Sequence, residues 1–569
     1  MQHMPIETQL KTLIRSALSS MGVEAFEVPL ERPAVLSHGD FSTNVAMAFA
    51  KQVGKNPRAL AEELVAQMNT AAHPLVQAIE IAGPGFINFR LSPAYFTAAL
   101  TEALSRGEQY GMNDTLAGKK VVVEYTDPNP FKEFHIGHLM SNTIGEAVSR
   151  LIEASGAETK RACYQGDVGL HVAKAMWGLV HAPTPITDLT ASELGKAYAR
   201  GAQTYDDPAA KEEIIVLNKK VYAAADTEIN ALYERGRATS LAAFEILYRR
   251  LGTNHGDGKA FNFYFFESKT GVFGKELVLA HPNIFEHSDG AIVYKGDEAK
   301  GLHTRVFVNK EGLPTYEAKE LGLAKIKYDT YPYDISVVVT GNEVNDYFAV
   351  LLDAMAQVFP DLAAKTEHIG HGMLRLPTGK MSSRTGDVIT AEALLEETKE
   401  KARGKITNEE FSPEERESVA EAVAVGAIKY AILRQASGKD IIFDFEQSLS
   451  FEGDSGPYLQ YTLARTRSLL VKAAGRPQDP TTHSGLVPSL HKHLLRFPEV
   501  VLRAEQERAP HMVATYLVEL AREFNAFYGN TVVLNGSADE PYKLALVALT
   551  AEVLARGLAL LGIPTPDRM

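Results

Sequence analysis

The chain has 569 residues, too many for one hydrophobic core, so we expect three or four domains. Its net charge of −13 argues against a protein that coats nucleic acid nonspecifically, and its only cysteine, Cys163, excludes an internal disulfide and a cysteine zinc cage. A lone cysteine also fits a reducing, cytoplasmic compartment. The longest apolar stretch, 544–563, is interrupted by Glu552 and Arg556, so we expect no membrane span.

Residues 1–115 are predicted to form a small α+β domain. An amphipathic helix opens it, and "HGDFSTNVAMAFAKQVGKNP" predicts a turn followed by a helix that ends at Gly54. "IEIAGPGFINFRL" predicts two short strands separated by Gly-Pro-Gly.

The pattern changes at residue 116. Val121–Val123 is a short apolar run typical of a strand in a parallel sheet, and a helical pattern and a second strand follow it. "ISVVVTGNEVNDYFAVLLDAMAQVF" repeats this strand–turn–helix order much later. We therefore predict an α/β catalytic domain with a Rossmann-type parallel sheet over 116–390, interrupted by a helical insertion at about 178–300.

From residue 391 nearly every segment has a helical pattern. We predict a helical connecting region over 391–450 and an all-α C-terminal bundle over 451–569. Residues 455–569 carry 12 Lys and Arg against 10 Asp and Glu, so this part is mildly basic although the whole chain is acidic.

The segment "DPNPFKEFHIGHLMSNTIGEAV", residues 127–148, stands between the first predicted strand and its helix. A helix N-terminus offers N–H groups and a positive dipole to phosphate. Gly137 lets a flat ring approach the backbone, His135 and His138 can donate hydrogen bonds, and Lys132 adds a positive charge. The chain has no GxxxxGK[ST], so this pattern indicates a nucleoside triphosphate site without a P-loop, although two ordinary surface histidines would give the same letters.

A second basic cluster, "GKMSSRTG", lies far downstream at 379–386. Taken by itself, this cluster predicts only a solvated basic loop. Together and in this order, the two segments resemble the HIGH and KMSKS signatures of class I aminoacyl-tRNA synthetases. The matching residues are His135, Ile136, Gly137 and His138, and then Lys380, Met381, Ser382, Ser383 and Arg384. We predict that both segments close over the same triphosphate.

The flanking sequences resemble arginyl-tRNA synthetases along nearly the whole chain. The resemblance rests on "HGDFSTNVAM", "GPGFINF", "VVVEYTDPNPFKEFHIGH", "SFEGDSGPYLQYTLARTRSLL" and "LARGLALLGIPTPDRM". It implies that ATP activates L-arginine to arginyl-adenylate, which is transferred to the 3′-terminal adenosine of the tRNA for arginine. It also implies Mg²⁺ held chiefly by ATP without a protein metal site, no DNA or membrane partner, and a monomer.

The chain departs from the KMSKS pattern at one position. Ser383 stands where the KMSKS pattern has its second lysine, which in the family helps to neutralise the triphosphate. The resemblance implies that Lys132, just before the HIGH segment, compensates from the other side, with Lys380 and Arg384 still present.

The resemblance also implies an arginine pocket. Its predicted members are Glu124, Asn129, Tyr316, Glu320 and Glu343. Glu320 stands where the family has Asp, and Val344, beside Glu343, stands where a glutamine is common, so the resemblance leaves open which carboxylate holds the guanidinium. A planar, permanently charged guanidinium is bound well by paired carboxylates.

For tRNA, Tyr458, Tyr461 and Arg465 are spaced to lie on one helix face, where aromatic rings and a guanidinium can stack on unpaired bases. Phe41 and Asn44 are weaker candidates in the N-terminal domain.

Three alternatives remain at this stage. H-x-G-H nucleotidylyltransferases carry a similar phosphate motif but are usually far shorter. A noncatalytic tRNA-binding relative would tend to lose the HIGH segment or the pocket carboxylates. The third alternative is a class I synthetase for another amino acid.

Overall fold

A computed structural model describes residues 6–24, 27–33, 38–70, 73–184, 189–253, 258–377, 389–406, 409–483, 485 and 487–569. The chain divides into two compact units. One comprises Met1–Tyr110, Leu469–Arg496 and Glu523–Thr550, and the other comprises Gly111–Ser468, Phe497–Arg522 and Ala551–Met569. In the described ranges no helix is long and apolar enough to cross a membrane.

The first unit contains a three-stranded antiparallel sheet with strand order β1-β3-β2. Its N-terminal elements are α1 (Ile6–Ser20), β1 (Phe41–Thr43), α2 (Val45–Val53), α3 (Pro57–Thr70), β2 (Val76–Ala82), β3 (Phe86–Leu91) and α4 (Pro93–Arg106). The predicted Gly-Pro-Gly break falls between β2 and β3. Gly83 and Gly85 adopt positive φ there, and a Cβ at Gly85 would stand 2.9 Å from the Pro57 carbonyl oxygen, so only glycine fits. The predicted α+β fold is confirmed.

The second unit is built on a parallel sheet. The strands of this sheet and of two smaller sheets in the same unit are β4 (Lys120–Glu124), β5 (Glu158–Gln165), β6 (Phe263–Phe266), β7 (Glu286–Ser288), β8 (Ala291–Tyr294), β9 (Arg305–Val308), β10 (Ile335–Gly341), β11 (Thr366–His371), β12 (Leu374–Arg375) and β13 (Ile441–Ile442). The helices up to β11 are α5 (Ile136–Ala154), α6 (Leu170–Val180), α7 (Ala191–Gln203), α8 (Pro208–Ala223), α9 (Thr227–Arg250), α10 (Glu267–Ala280), α11 (Tyr316–Thr330), α12 (Asn345–Val358) and α13 (Pro360–Ala364).

The central sheet has strand order β11-β10-β4-β5-β6, and every pairing in it is parallel. The chain runs outward from β4 through β5 to β6, then crosses back to place β10 on the other side of β4. This reversal makes a topological switch point between β4 and β10, where ligands bind outside the carboxyl ends of the strands. The predicted Rossmann-type architecture is confirmed, and the HIGH segment directly follows β4.

The region predicted as a helical insertion at 178–300 has a mixed structure. Helices α7, α8 and α9 are helical as expected, but β6 lies inside the predicted range and pairs with β5 in the central sheet. Strands β7, β8 and β9 form a separate antiparallel sheet. A four-residue aromatic run carries no periodicity that distinguishes a buried strand from part of a helix, so the sequence could not place β6.

The chain is mostly helical after β12, as predicted. These helices are α14 (Ala391–Lys405), α15 (Pro413–Leu433), α16 (Phe445–Ser448), α17 (Gly456–Lys472), α18 (Ser489–Leu494), α19 (Phe497–Gln506), α20 (His511–Asn530) and α21 (Glu540–Leu560). At the start of α15, Ser412 and Glu415 form a reciprocal capping box, which satisfies N–H groups that the first helical turn leaves unpaired.

Candidate active site

The connection between β4 and α5 has an unusual backbone. Thr126, Asp127 and Phe131 adopt φ values of 80°, 45° and 68°, which residues with a side chain rarely take. Ser141 Oγ accepts the N–H of Thr126 at 2.9 Å, and Asn142 donates to Thr126 Oγ1 at 3.0 Å. Both partners lie on α5, so the helix holds this connection in its strained path, a feature common at functional sites.

The same connection is attached to a buried polar network through Tyr125. A Cβ at Gly145, in the middle of α5, would stand 2.2 Å from the Tyr125 ring, so the close packing requires glycine. The Tyr125 hydroxyl donates to Glu146 at 2.5 Å, and Glu146 is also paired with Arg150 and Arg161 at 2.7 and 2.8 Å. Burial alone would raise the pKa of Glu146, but the charges of Arg161 and Arg150 lower it to about 2.

The two histidines of the HIGH segment stack on one another, with ring centroids 3.6 Å apart. Each ring accepts a backbone N–H at Nδ1: His135 from Gly137 at 3.1 Å and His138 from His135 at 3.3 Å. Burial, followed by the charge of Lys132, lowers the pKa of His135 to about 4, and burial holds the pKa of His138 well below its usual value. Both imidazoles are therefore neutral near pH 7, with the ring proton on Nε2.

Two further residues of this segment, Lys132 and Gly137, were predicted to take part in phosphate binding. The Lys132 ammonium lies 4.8 Å from the centroid of the Tyr198 ring, and burial lowers its pKa. A Cβ at Gly137 would stand 3.0 Å from the His135 ring, which is tighter than an ordinary contact. Gly137 therefore lets His135 fold over the start of α5.

The predicted KMSKS residues Lys380, Met381, Ser382, Ser383 and Arg384 lie outside the described residues. The chain is described again from 389, where Thr390 pairs with His135 in an antiparallel bridge. The Ala391 N–H also donates to the Phe134 carbonyl at 2.8 Å. The chain immediately after the basic cluster is thus bonded to the HIGH segment.

An acidic cluster lies at the carboxyl end of β4. Glu124 is almost fully buried and accepts a hydrogen bond from Lys327 on α11 at 2.6 Å. Glu320 lies seven residues before Lys327, two turns away on the same side of the helix. Asp127 Oδ1 accepts the N–H of Tyr164, on β5, at 2.7 Å. Burial, then the charge of Glu124, raises the pKa of both Asp127 and Glu320 well above the usual range.

The other predicted pocket residues, Asn129, Tyr316 and Glu343, differ in their contacts and exposure. Asn129 faces Gly166 at the end of β5, because a Cβ on that glycine would stand 2.2 Å from Asn129 Oδ1. Tyr316 begins α11 and is 62% exposed, with the Lys319 ammonium 5.2 Å from its ring centroid. Glu343 is exposed after β10 and folds back over Gly341. No contact of the described residues joins Glu343 to the acidic cluster.

Comparison with known proteins agrees with this geometry. A family model described as "tRNA synthetases class I (R), catalytic domain" matches residues 99–445, "Arginyl tRNA synthetase N terminal domain" matches 8–91, and "DALR anticodon binding domain" matches 459–569. The chain is 31% identical to an arginine–tRNA ligase of Fusobacterium nucleatum over 93% of both chains. It is 32% identical to one of Streptococcus mutans over 95% of both. This chain belongs to the arginyl-tRNA synthetase family.

A solved structure of the family has the same fold. The arginyl-tRNA synthetase of Thermus thermophilus superposes with a TM-score of 0.80 at 27% identity, covering 99% of this chain and 100% of that one.

The candidate tRNA residues of this synthetase differ in exposure. Tyr458, Tyr461 and Arg465 lie on α17, where Tyr461 is 38% exposed and the Arg465 guanidinium stands 4.9 Å from its ring centroid. Asn44 is exposed at the start of α2. Phe41 is only 3% exposed, because its ring packs into the core of the first unit under the Arg32 guanidinium. A buried ring is not placed to stack on a base, so Phe41 is a weaker tRNA candidate than the exposed Asn44.

Three residues near the acidic cluster were not predicted: Asp127, Lys327 and Tyr347. Asp127 opens the segment 127–148, but no role was predicted for it. Lys327 could have been found from its seven-residue spacing to Glu320 on α11. Burial, followed by the charge of Glu320, raises the pKa of Tyr347 well above its usual value. Its position depends on the packing of α12 and has no local signal.

Proposed function

We propose that this chain is an arginine–tRNA ligase that uses ATP to activate L-arginine and transfers the arginyl group to tRNA. The proposal rests on one observation. The acidic cluster lies at the carboxyl end of β4, and the HIGH segment follows the same strand at the switch point of the parallel sheet. A phosphate-binding helix start and a pocket suited to a guanidinium are thereby side by side.

In the activation step the arginine carboxylate attacks the α-phosphorus of ATP and pyrophosphate leaves. The neutral Nε2–H groups of His135 and His138 donate to phosphate oxygens, and the α5 N-terminus and Lys132 stabilise the charge that develops. Because the imidazoles are neutral, we assign them the hydrogen bonding expected from the sequence and leave the positive charge to Lys132.

The downstream basic cluster belongs to the same proposal. Arg384 precedes Thr390 by six residues, which an extended chain spans in about 20 Å, and Thr390 is bonded to His135. This supports Lys380 and Arg384 acting on the phosphates bound at the HIGH segment. In the described ranges no group of three His, Cys, Asp or Glu side chains is placed to hold a metal. That Mg²⁺ enters on the ATP phosphates is part of the proposal.

The pocket recognises arginine through Glu124, Glu320 and Asn129, with Tyr316 at its exposed edge. Glu343 is a weaker candidate because its carboxylate lies over Gly341, away from the cluster. A neutral ligand such as citrulline would bring no positive charge to Glu320, and a polar group left without its partner is an effective way to reject a ligand.

The domain roles follow from the family. We assign residues 1–115 and 451–569 to tRNA binding, 116–390 to catalysis and 391–450 to the connection. The exposed Tyr461 and the neighbouring Arg465 are the α17 groups best suited to stack on anticodon-loop bases. We expect a cytoplasmic monomer.

The test is aminoacylation of total tRNA with each of the twenty amino acids, together with ATP–pyrophosphate exchange in the presence and absence of tRNA and arginine. We expect charging with arginine alone. Charging with another amino acid would refute the assigned substrate, and exchange that needs no amino acid would indicate a nucleotidylyltransferase.

A further inference from the structure

The four letters of the HIGH segment occur a second time in the chain, as His368, Ile369, Gly370 and His371 at the end of β11. The first copy begins helix α5, whereas the second is part of a parallel strand of the central sheet. This strand pairs with β10, where Gly341 is the Cα partner of His371. His371 therefore lies at the carboxyl edge of the sheet, where ligands of this fold bind.

The two histidines of the second copy face opposite sides of the sheet. The His368 ring stacks on Phe348 of α12, with ring centroids 3.9 Å apart. A Cβ at Gly370 would stand 2.2 Å from Asn345 Oδ1, at the start of the same helix, so this position faces α12 as well. Because side chains alternate along a strand, His371 faces the other side.

That other side of the sheet carries α5. The chain moves from β4 through α5 to β5 in one direction, and from β10 through α12 to β11 in the other. Right-handed crossovers then place α5 and α12 on opposite faces. Strand β12, which begins three residues after His371, also contacts α5.

Strand spacing gives the distance from His371 to α5. Val339 on β10 lies one strand across and two residues back from His371, so their Cα atoms are about 8 Å apart. The Val339 carbonyl accepts a hydrogen bond from Ser141 Oγ at 2.8 Å, and Ser141 lies one turn after His138 on α5. His371 is thus held beside the start of α5, and its charge is one of the smaller causes, after burial, that lower the pKa of His138.

The His371 ring has a hydrogen-bond polarity opposite to that of the first copy. Its Nδ1 lies 2.7 Å from the Gly372 carbonyl oxygen, and because a carbonyl only accepts, the ring proton is on Nδ1. Burial lowers the pKa of His371, so the ring is neutral near pH 7 and Nε2 carries a lone pair. This Nε2 has no hydrogen-bond partner among the described residues, although His371 is only 4% exposed. A buried acceptor without a partner is costly, which points to a ligand that donates.

We propose that His371 is a specificity-determining residue of the ATP site and accepts a hydrogen bond from the adenosine part of ATP. The inference rests on the proposed function. Phosphate oxygens accept hydrogen bonds, so they cannot pair with the lone pair of Nε2. The donors of ATP are the 2′- and 3′-hydroxyl groups of its ribose and the 6-amino group of its adenine.

Arginine also carries donors, but its pocket lies on the other side of the sheet. The acidic cluster contacts α11 through Lys327, and α11 packs with α12 in one apolar core. The two copies of the motif therefore divide the nucleotide between them. His135 and His138 bind the phosphates through N–H groups, and His371 binds the nucleoside through a lone pair.

The experiment is steady-state arginine charging with ATP and with three analogues that each lack one donor: 2′-deoxy-ATP, 3′-deoxy-ATP and purine riboside triphosphate. His371→Phe keeps a ring of similar size and removes the acceptor. We expect kcat/KM for ATP to fall by about 3–10-fold, the value of one neutral hydrogen bond, with KM for arginine unchanged. The preference for ATP over one analogue should fall by the same factor, and that analogue identifies the donor.

His368→Phe is the matched control, because it makes the same replacement three residues earlier on the α12 side. We expect it to leave the preference for ATP over all three analogues unchanged. His371→Gln retains an acceptor and should keep part of the preference that His371→Phe loses. If the phenylalanine variant does not fold in urea denaturation, His371→Leu gives the same comparison.

The outcome separates this inference from the proposed function. Equal preferences of the natural chain and His371→Phe for ATP over every analogue would overturn the inference, while arginine charging and the ligase function stand. A rise in KM for arginine instead of ATP would also overturn it. If the natural chain shows no charging with arginine at all, the proposed function itself fails.

Discussion

The two ends of the candidate site handle charge in opposite ways. At the phosphate end, burial keeps His135 and His138 neutral, so they act as hydrogen-bond donors on top of a helix dipole. At the arginine end, Glu124 and Lys327 form a buried ion pair, and burial together with the charge of Glu124 raises the pKa of Asp127 and of Glu320. The difference suits the ligands. A polyanion is bound by many fixed dipoles, whereas a single guanidinium requires a negative charge that is already in place.

The largest expected effect comes from a residue that supports both ends. Glu146 holds Tyr125, and therefore the strained connection, while pairing with Arg150 and Arg161. Glu146→Gln leaves buried cations short of a partner, and we expect a loss of about 3–5 kcal/mol in the free energy of unfolding. Urea denaturation measures it. Arg503→Gln, which breaks the exposed pair with Glu507, should cost less than about 1 kcal/mol.

The pH dependence of the same residue provides a second check. The pKa of Glu146 is lowered from 4.5 to about 2 in the folded chain, so its contribution is fully present above pH 4.5. That contribution falls as pH drops through about 2. Acid titrations of the natural chain and Glu146→Gln should therefore converge at the acid end, and a constant gap between the two curves contradicts the assignment.

The substitution His138→Ala tests the phosphate end of the site separately. We expect turnover in ATP–pyrophosphate exchange to fall by about 10²–10³-fold, since a donor to the transition state is lost. His138→Gln retains an N–H near the Nε2 position and should lose less. Because the pKa of His135 is about 4 and that of His138 is also low, neither imidazole should impose a step on the rate profile between pH 6 and 8. A fall in turnover matched by unfolding of His138→Ala would defeat this prediction.

The substitution Glu320→Gln tests the arginine end of the site separately. Loss of a charge-assisted hydrogen bond should raise KM for arginine by about 10–100-fold, with KM for ATP unchanged. Steady-state charging kinetics with each substrate varied in turn measure this split. Equal rises in both KM values would show that the two ends are not separable.

The smallest expected effect concerns tRNA. Tyr461→Ala removes one exposed ring, and we expect KM for tRNA to rise by about tenfold, the lower end of the range for base stacking. Tyr528→Ala removes another partly exposed tyrosine, on α20, and should leave KM for tRNA unchanged. Similar changes in both variants would argue against a specific role for the α17 face.

Several parts of the site could be predicted because their signals are local. The apolar run of β4, the glycine and histidines at the start of α5, and the carboxylate of Glu124 lie within twenty residues of sequence. The exposure of side chains was not predictable in the same way. Phe41 was a tRNA candidate but packs into a core of helices and strands, and Glu343 was a pocket candidate but is exposed and lies over Gly341. The burial of Phe41 depends on neighbours distant in sequence, such as Phe89 on β3.

The sequence by itself determined the fold class, the order of the motifs and the family resemblance, because periodicity, turn residues and short motifs are properties of neighbouring residues. Only the tertiary structure decided that β6 completes the central sheet, that both imidazoles are neutral, that Lys327 pairs with Glu124 and that Asp127 accepts the N–H of Tyr164. Those features depend on burial and on charges brought together from β4, β5 and α11, and electrostatic energies change strongly with burial and distance in space.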